Sequence, residues 1–295
     1  MLSKDILKTV RRIELSVRGP LDSMMAGAYH SSFKGNGVEF SEVREYVPGD
    51  DVRSIDWNVT ARMGTPYIKK FVEERELTLM LMVDASSSSE FGSGKEMKGE
   101  VMAAIAALLA FAAVRNGDKV GLLIFTDDVE LFIPPAKGRK HVLRLIREIL
   151  YFKPERHGTN LQKAVEYAGE VLNRRSMVVV MSDFLDSGYE KAFKILSKRH
   201  DLLAVSVTDP RESELPPVGL VEFEDPETGE TFLVDTGDAA FREAFAYEAK
   251  KAQKVVRNGF QKINVDYVEC KIREEFRNTV EPLVEHFRML QRRRS

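Results

Sequence analysis

Cysteine, net charge and long apolar runs are all scarce in this chain of 295 residues. Cys270 is the only cysteine, which excludes an internal disulfide and is typical of a reducing compartment. The 44 lysines and arginines nearly balance the 46 aspartates and glutamates, so the overall charge gives no basis for binding nucleic acid. Residues 101–114 come closest to a membrane span, but a span needs roughly 18 to 20 apolar residues. They predict a buried core helix and no direct membrane insertion.

The first 15 residues lack the apolar core of a signal peptide and are charged throughout. The spacing of their leucines and isoleucines predicts a short amphipathic helix instead. Together with the single cysteine, these features lead us to expect a cytoplasmic protein. The length allows one large domain or two small ones, with ample chain for a buried core.

What the sequence does contain is an apolar run that leads directly into hydroxyl groups, LTLMLMVDASSSS at residues 77–89. Such a run is typical of a central strand that is buried on both faces of a parallel sheet. Functional groups in these sheets gather at the carboxyl ends of the strands, where Asp84 falls. Asp84, Ser86 and Ser88 are spaced two residues apart, so their side chains can turn toward one point. A serine-rich turn that merely caps the next helix is the structural alternative.

Beyond residue 84, apolar runs alternate with amphipathic segments. Helices are predicted at residues 95–115, 140–152, 161–172 and 189–198, and strands at 119–125, 177–181 and 202–207. Residues 129–133 form a further predicted strand, which we expect Pro134 and Pro135 to end. This alternation predicts the α/β class with a doubly wound, mainly parallel sheet.

The segment of residues 17–76, which precedes this pattern, differs from it in composition. It is rich in glycine, charged residues and aromatics, and predicts a small β-rich segment with a strand or hairpin at 67–72. Its charged residues suit either a solvated surface or a site held by ion pairs. We expect the segment to brace the core, because Trp57 and its apolar neighbours need burial.

The segment after residue 210 also leaves the alternating pattern. It predicts a hairpin that turns at 225–229, helices at 239–258 and 280–290, and a strand at 265–268. We therefore divide the chain into three parts. They are an N-terminal part of residues 1–76 packed on the core, a core of residues 77–210, and a C-terminal part of residues 211–295 that completes the fold.

Two later positions add oxygen groups to the serine-rich turn: a threonine at a helix start and an aspartate at a strand end. The candidate metal ligands are then Asp84, Ser86, Ser88, Thr159 and Asp183. Two carboxylates and three hydroxyls are the ligand type that a hard cation such as Mg²⁺ prefers. They carry too few negative charges to hold a bare cation tightly. We expect a site for Mg²⁺ or Mn²⁺ that water and an acidic group from a partner complete.

These positions resemble a known metal site. The DASSS motif that begins at Asp84, with Thr159 and Asp183, is similar to the metal-ion-dependent adhesion site of von Willebrand factor A-type domains. The resemblance implies that Ser86 and Ser88 bind the ion directly. Thr159 would bind it directly or through water, and Asp84 and Asp183 largely through water. It also implies a von Willebrand factor A-like core, protein binding as the function and no enzymatic turnover.

A second resemblance covers nearly the whole chain. It rests on GNGVEF from Gly35, REY from Arg44, PGDD from Pro48, Arg53, IDW from Ile55, AR from Ala61 and EER from Glu73. These pieces are similar to the signature of a bacterial family, domain of unknown function 58. Its members are typically encoded beside MoxR-type AAA+ ATPases, which implies work with such an ATPase in maturing or remodelling other proteins. The ATPase or a client protein would then supply the acidic group. Ser89 departs from the family pattern, which has methionine there, but lies outside the ligand set.

Other chemistries fit the sequence less well. FGSGK at residues 91–95 lacks the preceding glycine and the following hydroxyl residue of a phosphate-binding loop. No GxSxG element supports a nucleophilic serine. A phosphohydrolase of the haloacid dehalogenase type, with Asp84 as nucleophile and Asp183 and Asp186 on the metal, remains the alternative function. It needs a second acid where Ser86 stands. His157 is the histidine nearest the proposed site and is a candidate contact for a partner.

Overall fold

The computed structural model describes residues 4–25, 39–72, 77–90, 92, 97–224 and 231–294. The chain separates into two compact units, one of Met1–Phe33 with Thr78–Ser295 and one of Lys34–Leu77. The turn predicted at 225–229 lies outside the described residues.

Between residues 78 and 208 the regular elements follow one another in the order that the alternating pattern predicts, whereas the two short helices at 18–25 and 57–63 were not predicted. The helices are α1 (Lys4–Ser16), α2 (Arg18–Met25), α3 (Trp57–Met63), α4 (Lys98–Arg115), α5 (Arg139–Leu150), α6 (Leu161–Val171), α7 (Glu190–Leu196), α8 (Ala239–Lys262) and α9 (Phe276–Arg294). The strands are β1 (Glu39–Glu45), β2 (Tyr67–Val72), β3 (Thr78–Asp84), β4 (Lys119–Phe125), β5 (Val129–Ala136), β6 (Met177–Ser182), β7 (Asp201–Thr208), β8 (Leu220–Glu224), β9 (Thr231–Asp235) and β10 (Asp266–Lys271). Among the described helices, none is both long and apolar enough to cross a bilayer.

The larger unit is built on a six-stranded sheet in the order β10-β7-β6-β3-β4-β5. β10, β7, β6, β3 and β4 run parallel, and β5 is antiparallel to β4. The chain moves from β3 to β4 on one side and later returns to place β6 on the other side. β3 and β6 therefore flank the point at which the strand order reverses, where open α/β sheets bind their ligands. The predicted α/β class with a mainly parallel sheet is confirmed.

Helices cover both faces of this sheet. Met80 and Met82 of β3 pack in one cluster with Val165 of α6, Phe193 of α7 and Phe260 of α8. The alternate residues of β3 point to the opposite face, because side chains alternate along a strand. That face is covered by α4, which is apolar around most of its circumference and buried along most of its length.

The prediction that Pro134 and Pro135 end β5 is wrong, because the strand continues through both to Ala136. β5 lies at the edge of the sheet and pairs with β4 on one side only. A proline, which has no N–H group to donate, is tolerated in an edge strand because the N–H groups on its open side pair with no other strand. The register of β5 against β4 also shifts between Val120 and Leu122. Gly121 lies in that shift, and a Cβ atom there would come within 2.7 Å of the Met80 side chain and 3.0 Å of the Pro135 ring. A glycine thus leaves the room that the Met80 side chain and the Pro135 ring need.

The smaller unit pairs β1 with β2 as a two-stranded antiparallel sheet, with α3 in the connection between them. Arg44 donates two hydrogen bonds to Asp50, at 2.9 and 2.7 Å, so this charge pair is bonded rather than merely solvated. These bonds hold the pKa of Asp50 below its usual value. Asp56 caps α3 by accepting from the N–H groups of Asn58 and Val59. The prediction that Trp57 is buried is wrong: the side chain begins α3 and is 68% exposed.

Candidate metal centre

The carboxyl ends of β3 and β6 meet through a buried hydrogen bond. Asp84 ends β3 and is 2% exposed, and Ser182 ends β6 and is fully buried. The Ser182 hydroxyl donates to Oδ2 of Asp84 at 2.6 Å and accepts from the N–H of Phe184 at 3.1 Å. This bond crosses between the two strands that flank the reversal of strand order, so the carboxylate is held at the position where the sheet binds ligands.

The loop after β3 folds back on Asp84 and brings two hydroxyls together. The N–H of Ser86 donates to Oδ1 of Asp84 at 3.0 Å, which closes a tight turn. Oγ of Ser86 and Oγ of Ser88 lie 3.2 Å apart, close enough for both to contact one cation. The N–H of Ala85 donates to the carbonyl of Phe125 at the end of β4, which ties the loop to the neighbouring strand.

A second loop, the one that carries Thr159, is hydrogen-bonded to the first. The N–H of Ser87 donates to the carbonyl of His157 at 3.1 Å, and Oγ of Ser87 lies 3.1 Å from Nδ1 of His157. On the other side of Thr159, the N–H of Asn160 donates to the carbonyl of Thr126, and the Asn160 side chain caps α6. Thr159 is therefore fixed between two anchored neighbours. The structure brings its loop to the same end of the sheet as the serines.

Asp183 reaches this end of the sheet but is already bonded to a cation. Nζ of Lys98, the first residue of α4, donates to Oδ2 of Asp183 at 3.1 Å and to Oε1 of Glu212 at 2.7 Å. The Lys98 side chain is 1% exposed and that of Asp183 is 8% exposed. Glu212 is held in turn by a capping box with Asp209 at the end of β7. Lys98 thus links the residue that follows β6 to the short turn that follows β7.

Two of these groups have shifted pKa values. Burial, and after it the neighbouring charge of Asp183, raise the pKa of Asp84 to about 6 despite the lowering effect of the bonds from Ser182 and Ser86. Burial alone would lower the pKa of Lys98, but Asp183 and Glu212 more than offset this, so its pKa lies above the usual value. Lys98 is therefore a permanent positive charge, whereas the charge of Asp84 is costly without a cation beside it.

Residues that the sequence reasoning missed hold the predicted ones in place. Lys98, Ser182 and Glu212 were not predicted for the site. A lysine at the positive end of a helix that is otherwise apolar is the one signal that was available for Lys98. Asp186, the second acid of the phosphohydrolase alternative, accepts a hydrogen bond from the N–H of Leu161 and so caps α6.

The donor set suits a hard divalent cation. Within the described residues, no group of three or more histidine, cysteine, aspartate or glutamate side chains is arranged to hold a metal. The candidate site depends instead on hydroxyls, which together with a buried carboxylate are ligands that Mg²⁺ accepts while it retains several waters. The paired hydroxyls of Ser86 and Ser88 and the costly charge of Asp84 fit such an ion. Asp183 fits less directly, because Lys98 engages its carboxylate.

A partly apolar cleft opens beside Asp84. It has a volume of about 440 Å³ and is bordered by the loop after β3, the start of α4 and the end of α5. Its lining includes Met97, Leu150, Phe152 and Pro154. Met97 is 57% exposed, so an apolar side chain is presented at the edge of the candidate site.

Replacing Ser182 with alanine is expected to lower the free energy of unfolding by about 1–3 kcal/mol, since it leaves a buried carboxylate oxygen and a buried N–H group without their partner. Urea unfolding in the presence of chelator measures this loss. Ser187→Ala is the matched control in the same loop, and because Ser187 is exposed its effect should stay within about 0.5 kcal/mol. Equal effects of the two substitutions would show that Ser182 does not support the site.

Comparison with known proteins gives one family match and several relatives. The model of the family described as "Protein of unknown function DUF58" matches residues 42–255. The uncharacterized protein Rv1480 of Mycobacterium tuberculosis is 34% identical over 253 residues, 83% of this chain and 80% of its own length. YeaD of Bacillus subtilis is 28% identical over 109 residues, 37% of this chain and 25% of its own length.

Solved structures give more distant likenesses. BatB of Bacteroides thetaiotaomicron has 14% sequence identity and a TM-score of 0.48, over 73% of this chain and 99% of the other. The SpRpn10 VWA domain has 12% identity and a TM-score of 0.41, over 71% of this chain and 94% of the other. The fold itself rests on the strand order and register described above.

Proposed function

Because the chain belongs to the DUF58 family, we propose that it is a metal-dependent protein-interaction module that works without enzymatic turnover. The observation that carries this proposal is the meeting of Asp84, Ser86 and Ser88 at the reversal of strand order, beside the anchored loop of Thr159. No acidic residue stands two positions after Asp84, where a phosphohydrolase would need its general acid.

In this proposal, the chain's own residues form a rigid cradle. Ser86, Ser88 and Thr159 would hold the ion, and Asp84 and Asp183 would support it largely through water. Mg²⁺ or Mn²⁺ would supply a positive charge with a coordination position open to a carboxylate oxygen of the partner. The cleft beside Asp84, with the exposed Met97 at its edge, offers apolar surface for the same partner. Apolar contact and charge neutralisation together favour a partner that carries an acidic side chain near an apolar one.

The partner that we propose is a MoxR-type AAA+ ATPase together with a client protein, either of which supplies the acidic residue. Support for this choice comes from the family resemblance alone. The cytoplasmic location expected from the sequence belongs to the same proposal and is supported by the single cysteine.

The test is the affinity of the purified chain for the MoxR-type ATPase of the same organism, measured by a binding titration in Mg²⁺. Since the ATPase itself needs Mg²⁺ for nucleotide binding, removal of the metal is ambiguous and a variant is the informative control. The double substitution Ser86→Ala, Ser88→Ala should reduce the affinity at least about tenfold, whereas Ser187→Ala should leave it unchanged. Undiminished binding by the double variant would contradict a metal-bridged interface.

A further inference from the structure

We propose that Lys98 is a built-in counter-ion of the candidate metal site, and that it makes retention of the metal depend on the partner's carboxylate. This inference rests on the proposed function and adds its regulation. By bonding Asp183 and Glu212, Lys98 leaves Asp84 as the one carboxylate of these three that is not bonded to the lysine. The protein alone then has a low affinity for a divalent ion, and this affinity rises when an acidic side chain of the partner binds the ion as well.

The position of Lys98 supports this role. It is the first residue of α4, which starts beside the end of β3, and its side chain is 1% exposed. A lysine at the positive end of a helix is unfavourable unless negative charge lies nearby. Two carboxylates provide that charge at 3.1 and 2.7 Å, from the segments that follow two different strands. Lysine is almost never so deeply buried without paired charges, so the three groups form one unit.

The count of charges explains the consequence for the metal. Without Lys98, the carboxylates of Asp84, Asp183 and Glu212 would give this end of the sheet three negative charges, and Asp183 would be free to support an ion beside Asp84. Lys98 cancels one of them and engages two of the three groups directly. A cation that approaches Asp183 also meets the repulsion of the buried ammonium group, which the low local dielectric strengthens. A partner carboxylate restores the missing negative charge.

The experiment compares the full chain with the variants Lys98→Met and Lys98→Met, Glu212→Gln by calorimetric titration with MnCl₂. The double variant is needed because Lys98→Met alone leaves the Asp183 carboxylate, which is 8% exposed, and the partly buried Glu212 carboxylate without their cation and can fail to fold. Near-ultraviolet circular dichroism confirms that each variant is folded before titration. The double variant keeps the parent's net charge at these positions but frees the Asp183 carboxylate from the lysine. We therefore expect it to bind Mn²⁺ at least about tenfold more tightly than the parent, and Asp183→Asn in the same background to remove the gain. Lys251→Met, at an exposed lysine, is the matched control and should bind as the parent does.

A second measurement uses the parent chain alone, with acetate as the probe for a partner carboxylate. Saturating acetate should tighten Mn²⁺ binding by the parent at least about threefold, and less so for the double variant. If the parent and every folded variant bind Mn²⁺ with the same affinity, and acetate does not change that affinity, the role of Lys98 is overturned but the metal site stands. A parent and variants that all fail to bind Mn²⁺, even with acetate, overturn the proposed metal site itself. If neither Lys98 variant folds, the effect of acetate on Mn²⁺ binding by the parent is the test. The absence of any tightening by acetate then overturns the proposal.

Discussion

Asp84→Asn is expected to stabilise the metal-free protein at pH 8 by up to about 3 kcal/mol and to abolish any stabilisation by Mg²⁺ or Mn²⁺. Asp84 is 2% exposed, and burial followed by the charge of Asp183 raises its pKa from 3.8 to about 6. Asparagine fills the same space without the charge. Its Oδ1 can accept from the N–H of Ser86, and its amide can donate to the Ser182 hydroxyl in place of the present bond.

The pH dependence of this effect follows from the sign of the shift. Because the folded state holds the Asp84 proton more tightly than the unfolded state, the metal-free parent loses stability as the pH rises from about 4 to about 6. The advantage of asparagine should therefore be full at pH 8 and nearly absent at pH 4. Urea unfolding in chelator at both values, followed by thermal unfolding with added metal, measures both parts.

The control for this substitution is Asp127→Asn, at an aspartate that is 46% exposed, which should change the free energy of unfolding by no more than about 0.5 kcal/mol. Equal destabilisation by Asp84→Asn at pH 4 and pH 8, or an undiminished response to metal, would contradict the assignment of Asp84 as a buried charge that awaits a cation.

Phe184→Ala is expected to lower the free energy of unfolding by about 3–5 kcal/mol. Phe184 directly follows Asp183 and is 1% exposed. Its ring lies 5.0 Å from that of Phe260 and between 6.2 and 6.3 Å from the rings of Tyr189, Phe193 and Tyr267. Truncation leaves a cavity at the centre of this cluster, where several rings lose their contacts together.

The backbone at Phe184 links this cluster to the candidate site. Its φ of 60° is unusual for a bulky residue and costs free energy that the buried ring must offset. The turn directs Phe184 into the core while Asp183, one residue earlier, reaches Lys98. We therefore expect Phe184→Ala to weaken metal binding as well as stability. Phe232→Ala, at a phenylalanine that is 54% exposed, should cost less than about 1 kcal/mol by urea unfolding, and a similarly small loss for Phe184→Ala would contradict the account.

Much of the sheet could be predicted because its strands are buried on both faces. The runs at β3, β4, β6 and β7 are apolar at nearly every position and bounded by charged or turn residues, so their limits fall within one or two residues of the predicted ones. Asp84, Ser86 and Ser88 are close in the sequence, and the rule that strand ends meet at one edge places Asp183 beside them.

The features that could not be predicted from the sequence depend on where a residue lies in the tertiary structure. Whether Pro134 and Pro135 end a strand depends on whether that strand lies at an edge, which the run itself does not reveal. Trp57 is large and apolar, yet it is exposed at the start of the short helix α3. Lys98 contacts acids that lie 85 and 114 residues away in the sequence, a distance over which no periodic pattern operates.

Calorimetric titration of Mg²⁺ and Mn²⁺ into metal-free protein tests the central claim most directly, beside the Ser86→Ala, Ser88→Ala double variant and with acetate present to supply a carboxylate. The account predicts saturable binding of one ion by the parent and none by the double variant. Binding that survives the loss of both hydroxyls, or no binding by the parent even with acetate, would contradict a metal site at the end of β3.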